Sequence, residues 1–168
     1  MTPSAWVARF APWVPEGGTV LDVACGAGRH TRLFLERGHR VVAVDRDTSG
    51  LAELAGDPRL QVIQADLEGG GPFPLAGRRF DGVVVTSYLH RPLLGDLVSA
   101  VAPGGALVYE TFARGQQRLG RPTNPDFLLR PGELLDAVRG RLRVVAYEDL
   151  TVDRPPPARV QRICAVAD

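Results

Sequence analysis

The sequence predicts a single α/β domain, residues 1–168, built on a doubly wound, mostly parallel sheet. Valine-rich apolar runs alternate with segments of helical period, which is the pattern of strands joined by crossover helices. Seven such runs occur, so we expect seven strands. A chain of this length is long enough to bury the core of one domain.

Composition narrows the classes of function. The net charge of +1 argues neither for nor against nucleic acid, but no basic stretch occurs, so nucleic acid is not the expected partner. All 20 cationic side chains are arginines, which excludes lysine chemistry. Cys25 and Cys164 are too few for a disulfide scaffold, and with three scattered histidines they predict no metal site. No run is long enough to span a membrane and residues 1–3 do not begin a signal peptide, so we expect a cytoplasmic protein.

The chain begins with a predicted helical cover, residues 1–18. Trp6, Phe10 and Trp13 recur at helical spacing on one face, and Ser4 is placed to cap the helix. These rings either pack on the sheet or flank a ligand cavity.

A glycine turn, residues 24–28, lies between the first strand and a helix. Gly26 and Gly28 allow the backbone to approach a ligand closely, and the helix that follows offers free N–H groups to an anion. Asp45 ends the next strand, where a carboxylate can accept hydrogen bonds from a ribose diol. The unit therefore predicts a site for a nucleoside cofactor that carries an anionic group.

The turn lacks the third glycine of a dinucleotide motif, because Thr31 occupies that position. The stretch 22–28 instead resembles the first motif of the class I S-adenosylmethionine-dependent methyltransferases. Four further motifs of that family follow in order: Asp45, residues 64–67, residues 80–84 and residues 102–105. The resemblance covers roughly residues 19 to 111 and implies a Rossmann-like fold with an antiparallel last strand. It also implies S-adenosyl-L-methionine as cofactor and S-adenosyl-L-homocysteine as product.

The resemblance assigns roles to individual residues. Asp45 and Asp66 would orient the nucleoside, Leu67 would pack on adenine, and Asp22 would hold the cofactor's amino group through water. Asp66 has the alternative of bonding only its own turn, and His30 either faces the cofactor carboxylate or is an ordinary helix residue. The expected cofactor-binding residues are Asp22, Ala24, Gly26, Gly28, His30, Asp45, Arg46, Asp66, Leu67 and Ser87.

The remaining elements are predicted from the spacing of apolar residues and from the glycine and proline residues that end helices and strands. A helix at 48–55 and a strand at 60–64 precede a loop at 68–77, and His39, before the second strand, is expected to be solvated. The later elements are a strand at 80–86, helices at 92–100 and 131–138, and strands at 106–111, 142–149 and 159–166.

Candidate catalytic groups follow the fourth and fifth strands, where ligands bind in open α/β sheets. His90 is a possible general base, unless it caps the next helix or bonds a backbone carbonyl. Glu110 is expected inside the cavity as a second possible base, and Tyr88 is a third candidate. Residues 87–90 lack the Asn/Asp-Pro-Pro-aromatic motif of many base-modifying methyltransferases, so that substrate class loses support.

Residues 112–130 have no clean period and predict a substrate-facing lid loop. Arg114, Arg118 and Arg121 lie there, either to receive an anionic substrate or as surface charge. The segment loosely resembles small bacterial methyltransferases of the tellurite-resistance type.

The sequence thus predicts methyl transfer from S-adenosylmethionine to a small-molecule acceptor by a monomer or homodimer. An RNA or protein methyltransferase, which would normally show a basic face, and a non-catalytic S-adenosylmethionine-binding protein are the alternatives. Cys25 beside the turn is expected to be a small packed residue rather than a reactive thiol.

Overall fold

The computed structural model describes residues 1–168, which form seven strands and four α-helices. Short 3-10 turns lie at Ala11–Trp13, Ser49–Leu54, Arg91–Leu93, Gln116–Arg118 and Pro125–Phe127. In chain order the main elements are α1 Ala5–Phe10, β1 Thr19–Val23, α2 Arg29–Glu36, β2 Arg40–Asp45, β3 Leu60–Gln64, β4 Phe80–Thr86, α3 Leu94–Ser99, β5 Val101–Phe112, α4 Glu133–Val138, β6 Arg143–Val152 and β7 Ala158–Val166.

The strands form one sheet in the order β3-β2-β1-β4-β5-β7-β6. β1 to β5 run parallel, and β7 inserts antiparallel between β5 and β6. The predicted doubly wound fold with an antiparallel last strand is therefore confirmed. The strand order reverses between β1 and β4, and a cleft opens beyond their carboxyl ends at such a point.

Each face of the sheet carries its own apolar core because strand side chains alternate between faces. On one face, α1 and α2 cover alternate strand residues through Trp6, Phe10 and Phe34. On the other face, α3, α4 and the β3–β4 loop pack through Leu97, Leu134 and similar side chains. None of the helices combines the length and apolar character needed to cross a bilayer.

Several predicted elements differ from the structure. The helix expected at 48–55 is a 3-10 turn, and the one expected at 92–100 begins with a 3-10 turn before α3. β5 starts at Val101, so residues 102–105 belong to the strand, with a register shift opposite Phe80 and Gly82. Residues 102–105 form the bulge between the Phe80–Val101 and Gly82–Ala106 pairs, and Gly104 and Gly105 exchange main-chain hydrogen bonds with Ala167 instead.

Two predictions about burial are wrong. Trp13 is 45% exposed, because α1 ends at Phe10 and the chain turns before the ring rejoins the Trp6 face. His39, expected in solvent, is buried with its Nδ1 atom 3.1 Å from the Gly18 carbonyl oxygen. Its ring also packs edge-on against Phe34, at 5.5 Å between ring centroids.

Candidate cofactor and acceptor site

The glycine turn connects β1 to α2 at the centre of the cleft. Ala24, Gly26 and Gly28 have positive φ angles of 52°, 54° and 85°, so the chain reverses tightly between β1 and α2. Gly28 also needs space, since a Cβ atom there would lie 2.4 Å from the Leu51 side chain. The turn therefore depends on glycine at Gly28 for both conformation and packing.

Asp45 ties the end of β2 to this turn. Its Oδ2 atom accepts a hydrogen bond from the Gly26 amide at 2.9 Å, and Oδ1 accepts one from the Asp47 amide at 3.0 Å. A carboxylate fixed by two main-chain donors keeps one orientation. Asp45 therefore stands at a defined place beside the turn, as a ribose-binding carboxylate requires.

A cavity of about 470 Å³ opens beside the glycine turn. Asp66 lines this cavity. Its Oδ1 atom accepts a hydrogen bond from the Glu68 amide at 2.9 Å, so Asp66 bonds within its own turn and still lies at the cavity wall. We call it the cofactor cavity, and its lining residues are Ala24, Asp45, Arg46, Ala65, Asp66, Leu67, Glu68, Ser87, Tyr88 and Phe127.

Asp22 lies beneath the turn and does not line this cavity. Its Oδ2 atom accepts a hydrogen bond from the Thr31 hydroxyl at 2.7 Å, which joins β1 to α2. Burial raises the pKa of this carboxyl to about 6, although the Thr31 bonds oppose the shift. The water-mediated contact expected of Asp22 stays a prediction.

His30 does not face the cofactor cavity, so its expected role as a cofactor ligand is wrong. The ring is 3% exposed, and its Nε2 atom accepts a hydrogen bond from the Ser4 amide at 3.0 Å. Nδ1 must then carry the ring proton, 3.5 Å from the Thr86 hydroxyl. Burial lowers the pKa of His30 to about 4, so the ring is neutral and holds the N-terminal segment against the sheet.

A second cavity of about 640 Å³ adjoins the first, and we call it the acceptor cavity. Both cavities share Glu68, Ser87, Tyr88 and Phe127, so these residues form the wall between them. No aromatic residue of the N-terminal segment lines either cavity. The lining residues are Glu68, Ser87, Tyr88, Leu89, Thr111, Phe112, Arg121, Pro122, Thr123, Asn124 and Phe127.

Sequence reasoning missed two residues of the shared wall. Glu68 follows the third-strand motif by one residue, and its position next to Asp66 and Leu67 was the only available signal. Phe127 is 46% exposed in a segment without periodicity, which carried no signal of its own. An aromatic ring exposed at a cavity wall is a surface that a ligand can cover.

Ser87 and Tyr88 form a strained turn at the end of β4. Ser87 has a positive φ of 53°, and the buried Tyr109 hydroxyl donates a hydrogen bond to the Tyr88 carbonyl oxygen at 2.8 Å. The Tyr88 hydroxyl in turn donates to Glu68 Oε2 at 3.4 Å. Burial, and then the Glu68 charge, raise the pKa of Tyr88, so its phenol is a neutral donor rather than a base.

His90 stands next to the shared wall rather than in it. Its Nδ1 atom lies 3.5 Å from Glu68 Oε1, and its side chain is 27% exposed. The side chain does not cap the turn that follows; only the His90 carbonyl bonds there, to the Leu93 amide. His90 therefore meets the shared wall at Glu68.

Glu110 does not lie in the acceptor cavity, so its expected role as a base is wrong. Side chains alternate along β5, so Thr111 reaches the cavity and Glu110 points to the opposite face. There its Oε1 atom accepts a hydrogen bond from the Ser4 hydroxyl at 2.8 Å, and Oε2 pairs with Arg162 at 3.0 Å. The Arg162 guanidinium also stacks on Trp6, at 4.8 Å from the ring centroid.

Residues 112–130 border the acceptor cavity and are anchored at two points. Gln116 bonds the Arg121 carbonyl and the Arg159 amide, at 2.9 and 2.8 Å. Arg91 donates to the carbonyls of Asp126 and Leu128, at 3.1 and 2.8 Å. The guanidinium of Arg91 also pairs with Glu133 at 2.8 Å.

Of the three arginines in this segment, Arg121 lines the acceptor cavity, whereas Arg114 and Arg118 do not. Cys25 is buried, and burial raises the pKa of its thiol to about 12, which fits a packed residue and not a nucleophile.

Comparison with known proteins identifies relatives of this chain. A methyltransferase domain family matches residues 20–105. Trans-aconitate 2-methyltransferase of Sinorhizobium fredii is 32% identical over 149 residues, 83% of this chain and 51% of the relative. Malonyl-[acyl-carrier protein] O-methyltransferase of Serratia marcescens is 33% identical over 110 residues, 62% of this chain and 42% of the relative. The chain thus spans about half the length of the curated relatives it matches.

Solved structures share the fold. TehB from Haemophilus influenzae superposes with a TM-score of 0.78 at 15% identity, covering 100% of this chain and 64% of that one. An S-adenosylmethionine-dependent methyltransferase from Mesorhizobium loti gives 0.73 at 20% identity, covering 96% and 97%. The matched family region holds β1 to β4 and the glycine turn, which build most of the cofactor cavity. The chain therefore belongs to the methyltransferase domain family, and its resemblance to the class I S-adenosylmethionine-dependent methyltransferases is confirmed.

Proposed function

We propose that the protein transfers the methyl group of S-adenosylmethionine to a small-molecule acceptor and releases S-adenosylhomocysteine. The observation that carries this proposal is the wall shared by the cofactor and acceptor cavities, formed by Glu68, Ser87, Tyr88 and Phe127. A group bound at that wall in the cofactor cavity faces a molecule bound in the acceptor cavity. The acceptor cavity has the volume of a small-molecule site.

The cofactor cavity offers groups that fit the parts of an adenosyl ligand. Asp45 would accept hydrogen bonds from the ribose diol, Asp66 from the adenine amino group, and Leu67 would pack on the adenine ring. Gly26 and Gly28 let the main chain lie close to the ligand. We assign Ala24, Arg46 and Ser87 to the same site because they line the same cavity.

When bound, S-adenosylmethionine supplies a methyl group already activated by a sulfonium. The residues of this chain then need to hold the acceptor in line and exclude water. Residues 112–130 would act as a lid, because Phe127 lines both cavities and Arg91 anchors the segment beside it.

The names of these two relatives support a small or carrier-bound acceptor, since one is a trans-aconitate and the other a malonyl-carrier methyltransferase. A non-catalytic S-adenosylmethionine-binding protein is less favoured, because a closed or featureless acceptor side would then be expected. Here the cavity of about 640 Å³ presents Glu68, Arg121, Asn124 and two threonines to an acceptor. Two free, buried cysteines fit a reducing, cytoplasmic setting.

Calorimetric titration with S-adenosylmethionine, S-adenosylhomocysteine and NADH tests the cofactor. We expect the two adenosyl ligands to bind and NADH not to bind. Asp45→Ala should weaken the adenosyl ligands by about a hundredfold, since it removes charge-assisted hydrogen bonds to the ribose.

Asp47→Ala is the matched control, because Asp47 is an exposed carboxylate two residues away that does not line the cavity. It should bind as the wild type does. Failure of both adenosyl ligands to bind would overturn the proposed function, and tight binding of NADH would assign the glycine turn to another cofactor.

A further inference from the structure

We infer that the acceptor is a small molecule with a flat apolar body, an N–H or O–H nucleophile at one end and an acidic group at the other. Glu68 takes the proton of the nucleophile, and Arg121 binds the acidic group. This inference rests on the proposed methyl transfer and names its substrate class.

The two charged side chains of the acceptor cavity differ in their relation to the cofactor cavity. Glu68 lines both cavities and so stands where the methyl group crosses from one to the other. Arg121 lines only the acceptor cavity and lies in the 112–130 segment. A substrate that satisfies both charges therefore has its reactive group and its acidic group apart.

Arg121 is free to bind an anion. Its guanidinium makes no ion pair or hydrogen bond within the protein, whereas Arg91 and Arg162 are each paired with glutamates. A planar guanidinium beside a cavity binds a carboxylate through two parallel hydrogen bonds. Thr123 and Asn124, which follow Arg121 along the cavity wall, offer further polar contacts.

Glu68 is not engaged by a cationic arginine. Its oxygens meet only the neutral Tyr88 hydroxyl at 3.4 Å and His90 Nδ1 at 3.5 Å, and no arginine pairs with it. A carboxylate within reach of the nucleophile can remove its proton as methylation proceeds. The Glu68 side chain, 47% exposed, and His90 beside it then offer that proton a path to solvent.

The step balances without a further reactant. A bond forms between the acceptor nitrogen or oxygen and the methyl carbon, and the carbon–sulfur bond breaks. The electron pair of that bond stays on sulfur, which leaves as S-adenosylhomocysteine, while the acceptor proton goes to Glu68. A carboxylate nucleophile has no proton to lose, and the like charge of Glu68 would repel it from the shared wall.

Aromatic and apolar side chains occupy the rest of the cavity wall. Tyr88, Phe112 and Phe127 contribute rings, with Leu89 and Pro122 beside them. Rings of this kind stack on flat ligands and bury their apolar area. An aromatic or heteroaromatic body between the two polar ends matches this wall.

The substrate class is tested with matched probes. The acids are 4-hydroxybenzoate, 4-aminobenzoate and 6-hydroxy-2-naphthoate; the controls are their carboxamides and trans-aconitate. Methylated products are identified by mass spectrometry and S-adenosylhomocysteine release is timed. We expect O- or N-methylation of the acids, with kcat/KM about tenfold higher than for the amides, as one charge-assisted contact predicts.

A methyl ester as the main product, or preference for trans-aconitate, would overturn the inference. So would the absence of any turnover in the acid series by protein that binds S-adenosylmethionine. Protein that does not bind S-adenosylmethionine at all would instead overturn the proposed function, which keeps the two failures distinct.

Two variants test the roles of the charged residues. Arg121→Gln should raise KM for the acids about tenfold and leave the amides unchanged, whereas Arg118→Gln, outside the cavity, should resemble the wild type. Glu68→Gln should lower kcat about a hundredfold, whereas Glu36→Gln, an exposed glutamate on α2, should not.

The Glu68→Gln defect should shrink with 4-hydroxy-3-nitrobenzoate, because its phenol is already ionised at neutral pH and needs no base. A merely structural role for Glu68 predicts the same defect with both phenols, and that result would refute its role as the base.

Discussion

The cofactor side and the acceptor side of the cleft are held in place by different kinds of contact. On the cofactor side, carboxylates bond groups on the glycine turn or its helix, as Asp45 does with Gly26 and Asp22 with Thr31. On the acceptor side, side chains reach across the fold to loop carbonyls, as Arg91 does to Asp126 and Leu128. The first arrangement belongs to the strand–turn–helix unit, and the second depends on the whole fold.

This difference teaches how one scaffold can keep its cofactor while its acceptor changes. Apart from Phe127, the residues that line the cofactor cavity lie in the sheet and its first connections, outside residues 112–130. We therefore expect variants on the two sides to separate cofactor binding from acceptor use, and the following predictions test that separation.

The largest effect on the free energy of unfolding should come from two buried titratable residues near the glycine turn, Asp22 and His30. Burial raises the pKa of Asp22 from 3.8 to about 6 and lowers that of His30 from 6.5 to about 4. Between these values the folded protein holds a proton on Asp22 that the unfolded chain releases, so this contribution to stability falls as pH rises. For His30 the unfolded chain holds the extra proton, so its contribution rises with pH.

The two contributions oppose each other in the wild type. Relative to it, Asp22→Asn should gain about 3 kcal/mol of unfolding free energy as pH rises from 4 to 6.5, and His30→Gln should lose about as much. Urea denaturation across this pH range measures both. Parallel stability curves for the three proteins would show that burial does not control these groups.

Loss of the Arg91 contacts should lower the free energy of unfolding by about 2 kcal/mol and leave cofactor binding unchanged. Arg91→Met removes the bonds to two loop carbonyls and leaves Glu133, whose side chain is 13% exposed, with only the weaker Arg130 pair at 3.6 Å. We expect KM for the acceptor to rise while calorimetric affinity for S-adenosylmethionine holds. Arg139→Met removes only an exposed pair and should have little effect, and equal losses in the two variants would contradict the anchoring role.

Gly28→Ala should lower the free energy of unfolding by roughly 1.5 kcal/mol, because a φ of 85° is unfavourable for alanine and its Cβ atom would clash with Leu51. The loss should be felt on the cofactor side of the cleft. Gly38→Ala is the matched control, with a φ of 89° but no atom within 4 Å of the added Cβ. Thermal unfolding and S-adenosylmethionine titration should show a larger loss for Gly28→Ala. Identical losses would mean that the Leu51 contact adds nothing.

The smallest loss of unfolding free energy, about 1 kcal/mol, is expected for Tyr109→Phe. This substitution removes one hydrogen bond to the Tyr88 carbonyl oxygen. The turn at Ser87 and Tyr88 should loosen, so acceptor turnover should fall more than cofactor affinity. Comparing kcat with the S-adenosylmethionine Kd measures this. A loss of cofactor affinity with unchanged acceptor turnover would contradict the assignment of Tyr109 to the acceptor side.

The sheet, the glycine turn and the acidic strand ends could be predicted from the amino-acid sequence. Apolar runs set the strands, the parallel order brings their carboxyl ends to one edge, and Asp45 and Asp66 necessarily end there. These features follow from local pattern and chain order, which is why their positions could be predicted without coordinates.

The directions of the Glu110, His30 and Glu68 side chains depend on long-range packing. Glu110 lies at a strand end as expected, but strand alternation turns it to the face that Ser4 and Arg162 cover. His30 is buried because Ser4, 26 residues earlier in the chain, bonds its ring. Glu68 joins the two cavities because its loop folds beside Tyr88 and His90. Contacts between residues distant in sequence leave no local period, so the packed chain alone determines them.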